Sequence, residues 1–175
     1  MKTIIMSGPS SAGKGYWIKE QKFPQGLILS ADHYFYGWRD DYEGIPTMSL
    51  DQTGEWTTDY PLGDYKFEQG FEHITQAHRN CRRAFRRAMI EDIHDVVIID
   101  NTNTSAAEKA VYYDHASDYG DVEIVRLETS LEVCLERNHH DLPPSVIEDM
   151  WVRHHAKDEK GNLVHTMPWW NTVNG

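Results

Sequence analysis

Eight consecutive residues near the start of the chain, Gly8-Pro9-Ser10-Ser11-Ala12-Gly13-Lys14-Gly15, have the types and spacing of a phosphate cradle. They follow a short apolar run, Thr3-Ile4-Ile5-Met6, and precede a helix-like segment that begins near Lys14. Glycines at both ends let the backbone curl so that its N–H groups converge, and a helix N-terminus adds partial positive charge. Lys14 supplies a full charge. Two aspartates extend the chemistry: Asp32 follows Leu27-Ile28-Leu29-Ser30, and Asp100 follows Val96-Val97-Ile98-Ile99. In open parallel sheets, ligands bind beyond the carboxyl ends of such strands. Phosphoryl transfer needs a cradle, a carboxylate to accept a hydroxyl proton, a second carboxylate for Mg²⁺, and cations at the transferring group. Asp32, Asp100 and Arg137 are the candidates. Each also has a plainer reading, as a turn or cap, a strand terminator and a surface arginine. Their joint occurrence beside the cradle favours the chemical one.

The spacing G-x4-G-K is that of the nucleotide-binding P-loop, with Gly15 standing where a Ser or Thr usually ligates Mg²⁺. The elements that must position these residues alternate. A strand, the loop and a helix to about Gln21 are followed by the strand ending near Ser30. The stretch from about Tyr36 to Asp64 is polar and aromatic without periodicity, and reads as a functional loop or lid whose Trp38, Tyr42, Trp56 and Tyr60 suit packing or base stacking. From Tyr65 to Ile90 the pattern is that of an amphipathic helix, with Phe67, Phe71, Ile74, Cys81, Phe85, Ala88 and Met89 on one face. Arg79, Arg82, Arg83, Arg86 and Arg87 gather opposite, either as a solvated face or as a track for substrate phosphates. The β-branched run at 96–99 suits a central parallel strand buried on both faces.

A further helix is expected after Thr104 or Ser105, with Glu108 completing a capping box. Val122 to Leu127 reads as a strand nearer the sheet edge. Helices at Ser130–Glu136 and Ser145–Ala156 flank Arg137-Asn138-His139-His140. The tail from Leu163 to Trp170 is expected either to add an edge strand or to pack its tryptophans. Strands alternating with helices give an α/β fold around a mostly parallel sheet.

At 175 residues the chain suits one domain, and 39% apolar with 26% charged residues suits a soluble protein. No apolar run is long enough to span a bilayer, and a cytoplasmic setting is expected from two cysteines without metal-ligand spacing. A net charge of −11 argues against nucleic-acid binding through global charge, leaving only a local basic surface. Ten histidines form no recognisable zinc motif.

Gly8 to Lys14, Ser30-Ala31-Asp32, Ala77-His78, Ile98-Ile99-Asp100-Asn101-Thr102-Asn103 and Arg137-Asn138-His139-His140 together resemble the polynucleotide-kinase-like family of P-loop kinases, over roughly residues 2 to 155. The resemblance implies a three-layer α/β/α kinase fold over residues 1–175, with an insertion at about 38–64 and a lid at about 137–145. It implies ATP held by Gly8, Ser10, Ser11, Ala12, Gly13, Lys14 and Gly15, and Mg²⁺ held at Asp100. Asp32 becomes the general base and Arg137 the lid arginine. Asn101 and Asn103 fall on the substrate side, and Arg83 and Arg87 remain candidates for acceptor phosphates. Members phosphorylate hydroxyls, including polynucleotide 5′-hydroxyls and, in phage enzymes, the hydroxymethyl group of 5-hydroxymethyluracil in DNA. A nucleotide-binding module with weak or no catalysis and a small-molecule nucleoside or nucleotide kinase are the alternatives.

Overall fold

The computed structural model describes residues 1–21, 23, 26–36, 48–50, 56–58, 65–68 and 70–175, with the backbone alone considered at 48–50 and 56–58. Seven strands form one sheet in the order β4-β3-β2-β5-β1-β6-β7. They are β1 (Lys2–Ser7), β2 (Leu27–Leu29), β3 (Met48–Leu50), β4 (Trp56–Thr58), β5 (Val96–Ile99), β6 (Asp121–Glu128) and β7 (Asn171–Asn174). Strands β2, β5, β1, β6 and β7 are parallel, and β3 and β4 add an antiparallel pair beyond β2.

Because strand side chains alternate between faces, each central strand feeds two cores. On one face Ile5, Leu29, Ile99 and Ile124 meet α2 (Phe71–Glu91) and α3 (Ala106–Ala116) through Cys81, Phe85 and Tyr112. On the other, Ile4, Met6, Ile98 and Leu127 meet α1 (Lys14–Gln21), α4 (Leu131–Arg137) and α5 (Pro144–His154) through Ile18, Cys134 and Ile147. Val97, Ile98 and Ile99 are completely buried, as a central strand covered by helices on both faces requires.

Local signals set several boundaries. Ser105 caps α3 in a full capping box: its hydroxyl accepts from Glu108 N–H at 3.2 Å, and the Glu108 carboxylate accepts from Ser105 N–H at 2.9 Å. The long helix begins at Phe71 rather than Tyr65. Gly70, at φ 139°, breaks the chain before it, so Phe67 packs on the core from outside the helix while Phe71 stays 85% exposed. The edge strand falls at 171–174 rather than within 163–170, with Trp170 packed on the core before it. The expected insertion at 38–64, with its aromatic residues, lies outside the described residues apart from the backbone of β3 and β4. Among the described residues, no helix is long and apolar enough to cross a membrane.

Arg126 explains the polar break in β6. It is 1% exposed, donates to Glu128 at 2.6 Å and to the His154 carbonyl at 2.8 Å, and faces His154 Nδ1 at 3.3 Å. His154 Nε2 donates to the Leu127 carbonyl at 2.9 Å, leaving Nδ1 as the acceptor toward the guanidinium. Burial, then the charge of Arg126, push His154 down to about 3. The ring is therefore neutral in the fold but takes a proton once unfolded, near pH 6.5. Its contribution is complete above about pH 6.5 and is lost as pH falls toward 3, at about 1.4 kcal/mol per pH unit. His33, pushed down to about 4 by burial, adds a second loss of the same sign. Urea midpoints measured from pH 7 to 4 should fall, and His154→Gln, which preserves both hydrogen-bonding roles, should flatten the slope by about half. An unchanged slope in that variant would place the acid sensitivity elsewhere.

Candidate active site

The ends of β2, β5 and β1 open into a cleft of about 870 Å³ lined by the glycine loop, Asp32, Asp100, His78, Arg137 and His140. The loop is drawn tight against the sheet. Gly8 N–H donates to the Thr102 carbonyl at 2.8 Å, and a methyl group on Gly8 would come 3.0 Å from Leu127 Cβ. Gly13 has φ +100°, and a side chain there would meet the Arg137 guanidinium at 3.5 Å. Ser11 takes a left-handed backbone as well, at φ 61°.

Lys14 folds back over the loop, donating to the Gly8 and Pro9 carbonyls at 3.1 and 2.8 Å. Burial lowers its pKa, opposed by the charges of Asp100 and Asp32. Desolvation pushes the Asp100 carboxyl up to about 6, with Lys14 opposing and Asp32 reinforcing. A desolvated carboxylate whose opposing positive charge is one lysine is of the chemical type that could hold a hard divalent cation. The loop offers no hydroxyl at position 15.

Asp32 lies in the first turn of a 3-10 helix, Ala31–Tyr36, and its side chain is 46% exposed. The Ser30 hydroxyl accepts from its N–H at 3.2 Å. Tyr65 Oη donates to Asp32 Oδ1 at 3.4 Å, and His140 Nε2 stands 3.6 Å from Oδ2. Arg137, at the end of α4, reaches across to Gly13.

Asn101 borders the cleft and Asn103 does not, and the side-chain amides of both are held by bonds within the fold. Asn101, 5% exposed, accepts from Ala31 N–H at 2.7 Å and donates to Tyr112 Oη at 3.2 Å and Cys81 Sγ at 3.4 Å. Asn103, 3% exposed, donates to the Met6 carbonyl at 2.9 Å. Both amides brace the strand ends. The Asn103 backbone carbonyl accepts from Ser7 Oγ and from buried Lys109, each at 2.9 Å. Arg83 and Arg87 are exposed on α2 and do not line the cleft, and Arg87 pairs with Glu91 at 2.7 Å. The α2 residues that do line it are Ile74, Ala77 and His78. Tyr65 and Phe35 border the cleft without any sequence signal beyond their aromatic type, and Phe67, marked only as apolar by periodicity, borders it as well.

Position 15 is sterically free, because a Cβ there meets nothing within 4 Å. Gly15→Ser should therefore raise the melting temperature, corresponding to about 0.5 kcal/mol from helix propensity. Gly13→Ala should destabilise, because its φ of +100° penalises any side chain. Thermal melts of the two variants check both signs.

A sequence profile of the AAA domain family matches residues 3–140. No curated protein sequence matches the chain. Among solved structures, the Pnkp1/Rnl/Hen1 RNA repair complex contains a chain that aligns with 93% of this one at TM-score 0.61 and 13% identity; the chain spans 46% of that protein's length. The Deinococcus radiodurans tunicamycin resistance protein aligns over 99% of this chain and 85% of its own, at TM-score 0.53 and 13% identity. A gluconokinase from Sinorhizobium meliloti 1021 aligns over 99% and 82%, at 0.50 and 14%. These likenesses show a shared P-loop kinase fold. With the profile covering most of its length, the chain belongs to the AAA domain family of P-loop proteins.

Proposed function

We propose that the protein is an ATP- and Mg²⁺-dependent kinase that transfers the γ-phosphate to a hydroxyl of nucleic acid. One observation carries the reading: a partly exposed carboxylate, Asp32, faces the same cleft as Lys14, Asp100 and Arg137. A binding module needs the loop and lysine, but not a carboxylate on the neighbouring strand end. On this reading residues 1–175 form one kinase domain, with the segment after α4 as its lid and the 38–64 insertion as the part that selects the acceptor.

The loop amides and Lys14 hold the donor phosphates. Bound at Asp100, Mg²⁺ would supply charge neutralisation on the phosphate oxygens. Asp32 accepts the proton of the acceptor hydroxyl as its oxygen bonds to the γ-phosphorus, and the bridging oxygen leaves with ADP. Arg137, already over Gly13, lies where charge on the transferring group would be balanced. Asn101 acts one step back, holding the backbone of Ala31 and so the approach of Asp32.

The acceptor has a second reading. Arg83 and Arg87 lie outside the cleft, which favours a small alcohol such as a nucleoside over a phosphate-tracking strand. Incubation with γ-labelled ATP and 5′-hydroxyl oligonucleotides, hydroxymethyluracil DNA, free nucleosides and gluconate separates the readings. Label on DNA that weakens after joint charge reversal of Arg83 and Arg87 supports the nucleic-acid acceptor; label confined to small molecules overturns it. Asp32→Asn should lower kcat by roughly 10²- to 10⁴-fold with little change in the KM for ATP. Turnover unaffected by that change would remove Asp32 from the chemistry.

A further inference from the structure

The segment after α4 touches both halves of the cleft. The Arg137 guanidinium, at the end of α4, lies 3.5 Å from where a Gly13 side chain would begin, and His139 N–H donates to Ser11 Oγ at 3.3 Å, so residues 137 and 139 both border the glycine loop. Next to them, His140 turns toward Asp32. The segment is braced from within. The Asn138 side chain accepts from Leu142 N–H at 2.9 Å and donates to the Leu142 carbonyl at 2.8 Å, and Asp141 N–H donates to the Asn138 carbonyl at 3.1 Å. Residues 138–142 therefore form a closed turn, and a shift at one end is passed to the other.

On the acceptor side, His140 stacks on Tyr65 with ring centroids 4.0 Å apart and planes at 28°. Tyr65 is wedged edge-on by Tyr36 at 5.0 Å and Phe35 at 6.1 Å, and Lys66 N–H beside it donates to the Phe35 carbonyl at 2.9 Å. Its hydroxyl reaches Asp32 Oδ1. Oδ2 lies 3.6 Å from His140, beyond hydrogen-bonding distance, so among the described residues no hydrogen bond is shown to occupy the oxygen that would meet an incoming hydroxyl.

We infer that Tyr65 and His140 form a stacked clamp that positions Asp32 and, through the 137–142 turn, links it to occupancy of the glycine loop. Tyr65 selects which carboxylate oxygen acts as base. His140 joins that carboxylate to the turn that borders the loop. Both are positioning residues, and their roles rest on the kinase reading above.

Hydrogen exchange on the full chain, with and without the non-hydrolysable ATP analogue AMP-PNP and Mg²⁺, tests the link without requiring turnover. Residues 8–15, 137–142 and 31–36 should all exchange more slowly with the analogue bound. In Tyr65→Leu, which removes both stack and hydroxyl, protection should persist at 8–15 and 137–142 but vanish at 31–36. Protection at 31–36 that survives in the variant, or is absent from the wild type while 8–15 is protected, overturns the clamp alone. No protection at 8–15 overturns the nucleotide-site reading instead. Turnover gives a second arm. Tyr65→Phe keeps the ring and removes the hydroxyl, and should lower kcat about tenfold at unchanged KM for ATP, whereas a loss confined to that KM would contradict positioning. His140→Phe, which keeps a stacking ring, should retain AMP-PNP protection at 31–36, and its loss there would show that the stack is not the link.

Discussion

The site depends on three parallel strands ending side by side, held there by bonds from the segment after β5. Asp100 N–H donates to the Leu29 carbonyl at 2.8 Å, and the Asn101 side chain takes the next N–H on that side, from Ala31. Toward β1, the Thr102 carbonyl receives Gly8 N–H, while Asn103 bonds to Met6 through its side chain and to Ser7 through its carbonyl. Four consecutive residues thus tie both neighbouring strand ends. Once a parallel ladder stops, its terminal N–H and C=O groups lose their partners and must find others or face a desolvation penalty. Here the backbone of residues 100–103 and the side chains of Asn101, Asn103 and Ser7 supply them. The same bonds set the height of the glycine loop and the start of the helix carrying Asp32.

That arrangement brings charges together in a poorly hydrated cleft. Lys14 and Asp100 each pay a desolvation cost that the other only partly offsets, and Asp32 adds a second negative charge nearby. Burying ionised groups without full compensation is unfavourable for folding. Its persistence beside a cleft of ligand size suits a site completed by something else, in which phosphate charge meets Lys14 and a cation meets Asp100. The buried Arg126 cluster makes the contrast. Glu128, His154 and His155 have metal-ligand types within reach of one another, yet Arg126 fills their midst and each imidazole nitrogen faces a protein partner. A fixed guanidinium serves there as the internal cation, and the cluster reads as a brace for the end of β6.

The sequence makes the loop and both aspartates legible, since each follows an apolar run and strand ends gather ligands. The α3 cap was equally plain, because a capping box is local. Other features are not written locally. A polar residue after a strand reads the same whether or not its side chain also ties the backbone, and the amides of Asn101 and Asn103 bond to backbone groups at the ends of β2 and β1, Asn101 while still bordering the cleft. Periodicity carried the long helix too far toward its start, since Phe67 is apolar for the core but Gly70 releases it from the helix. Strand β7 has only Val173 partly buried, so it lacks the alternation that marks a half-buried strand. Tyr65 and His140 meet Asp32 across long chain separations, which no local pattern encodes.

Gly15 gains meaning from this geometry. An open position at the start of α1 would accept a serine without displacing any neighbour, so packing does not demand the glycine. Gly8 and Gly13 are different: one is pressed toward Leu127, and the other is bent into a backbone that side chains disfavour. The loop's shape therefore depends on the first and second glycines, while the third alters only what the loop offers to a metal. Without a hydroxyl there, a cation in the proposed site would have to be held by Asp100, by water and by the donor phosphates themselves. On that proposal such a cation would arrive with the nucleotide more readily than ahead of it, because the phosphates would supply ligands that the loop does not. On the proposed reading, the missing hydroxyl would leave phosphate binding to the loop and shift metal retention onto the strand end, where Asp100 stands desolvated beside Lys14.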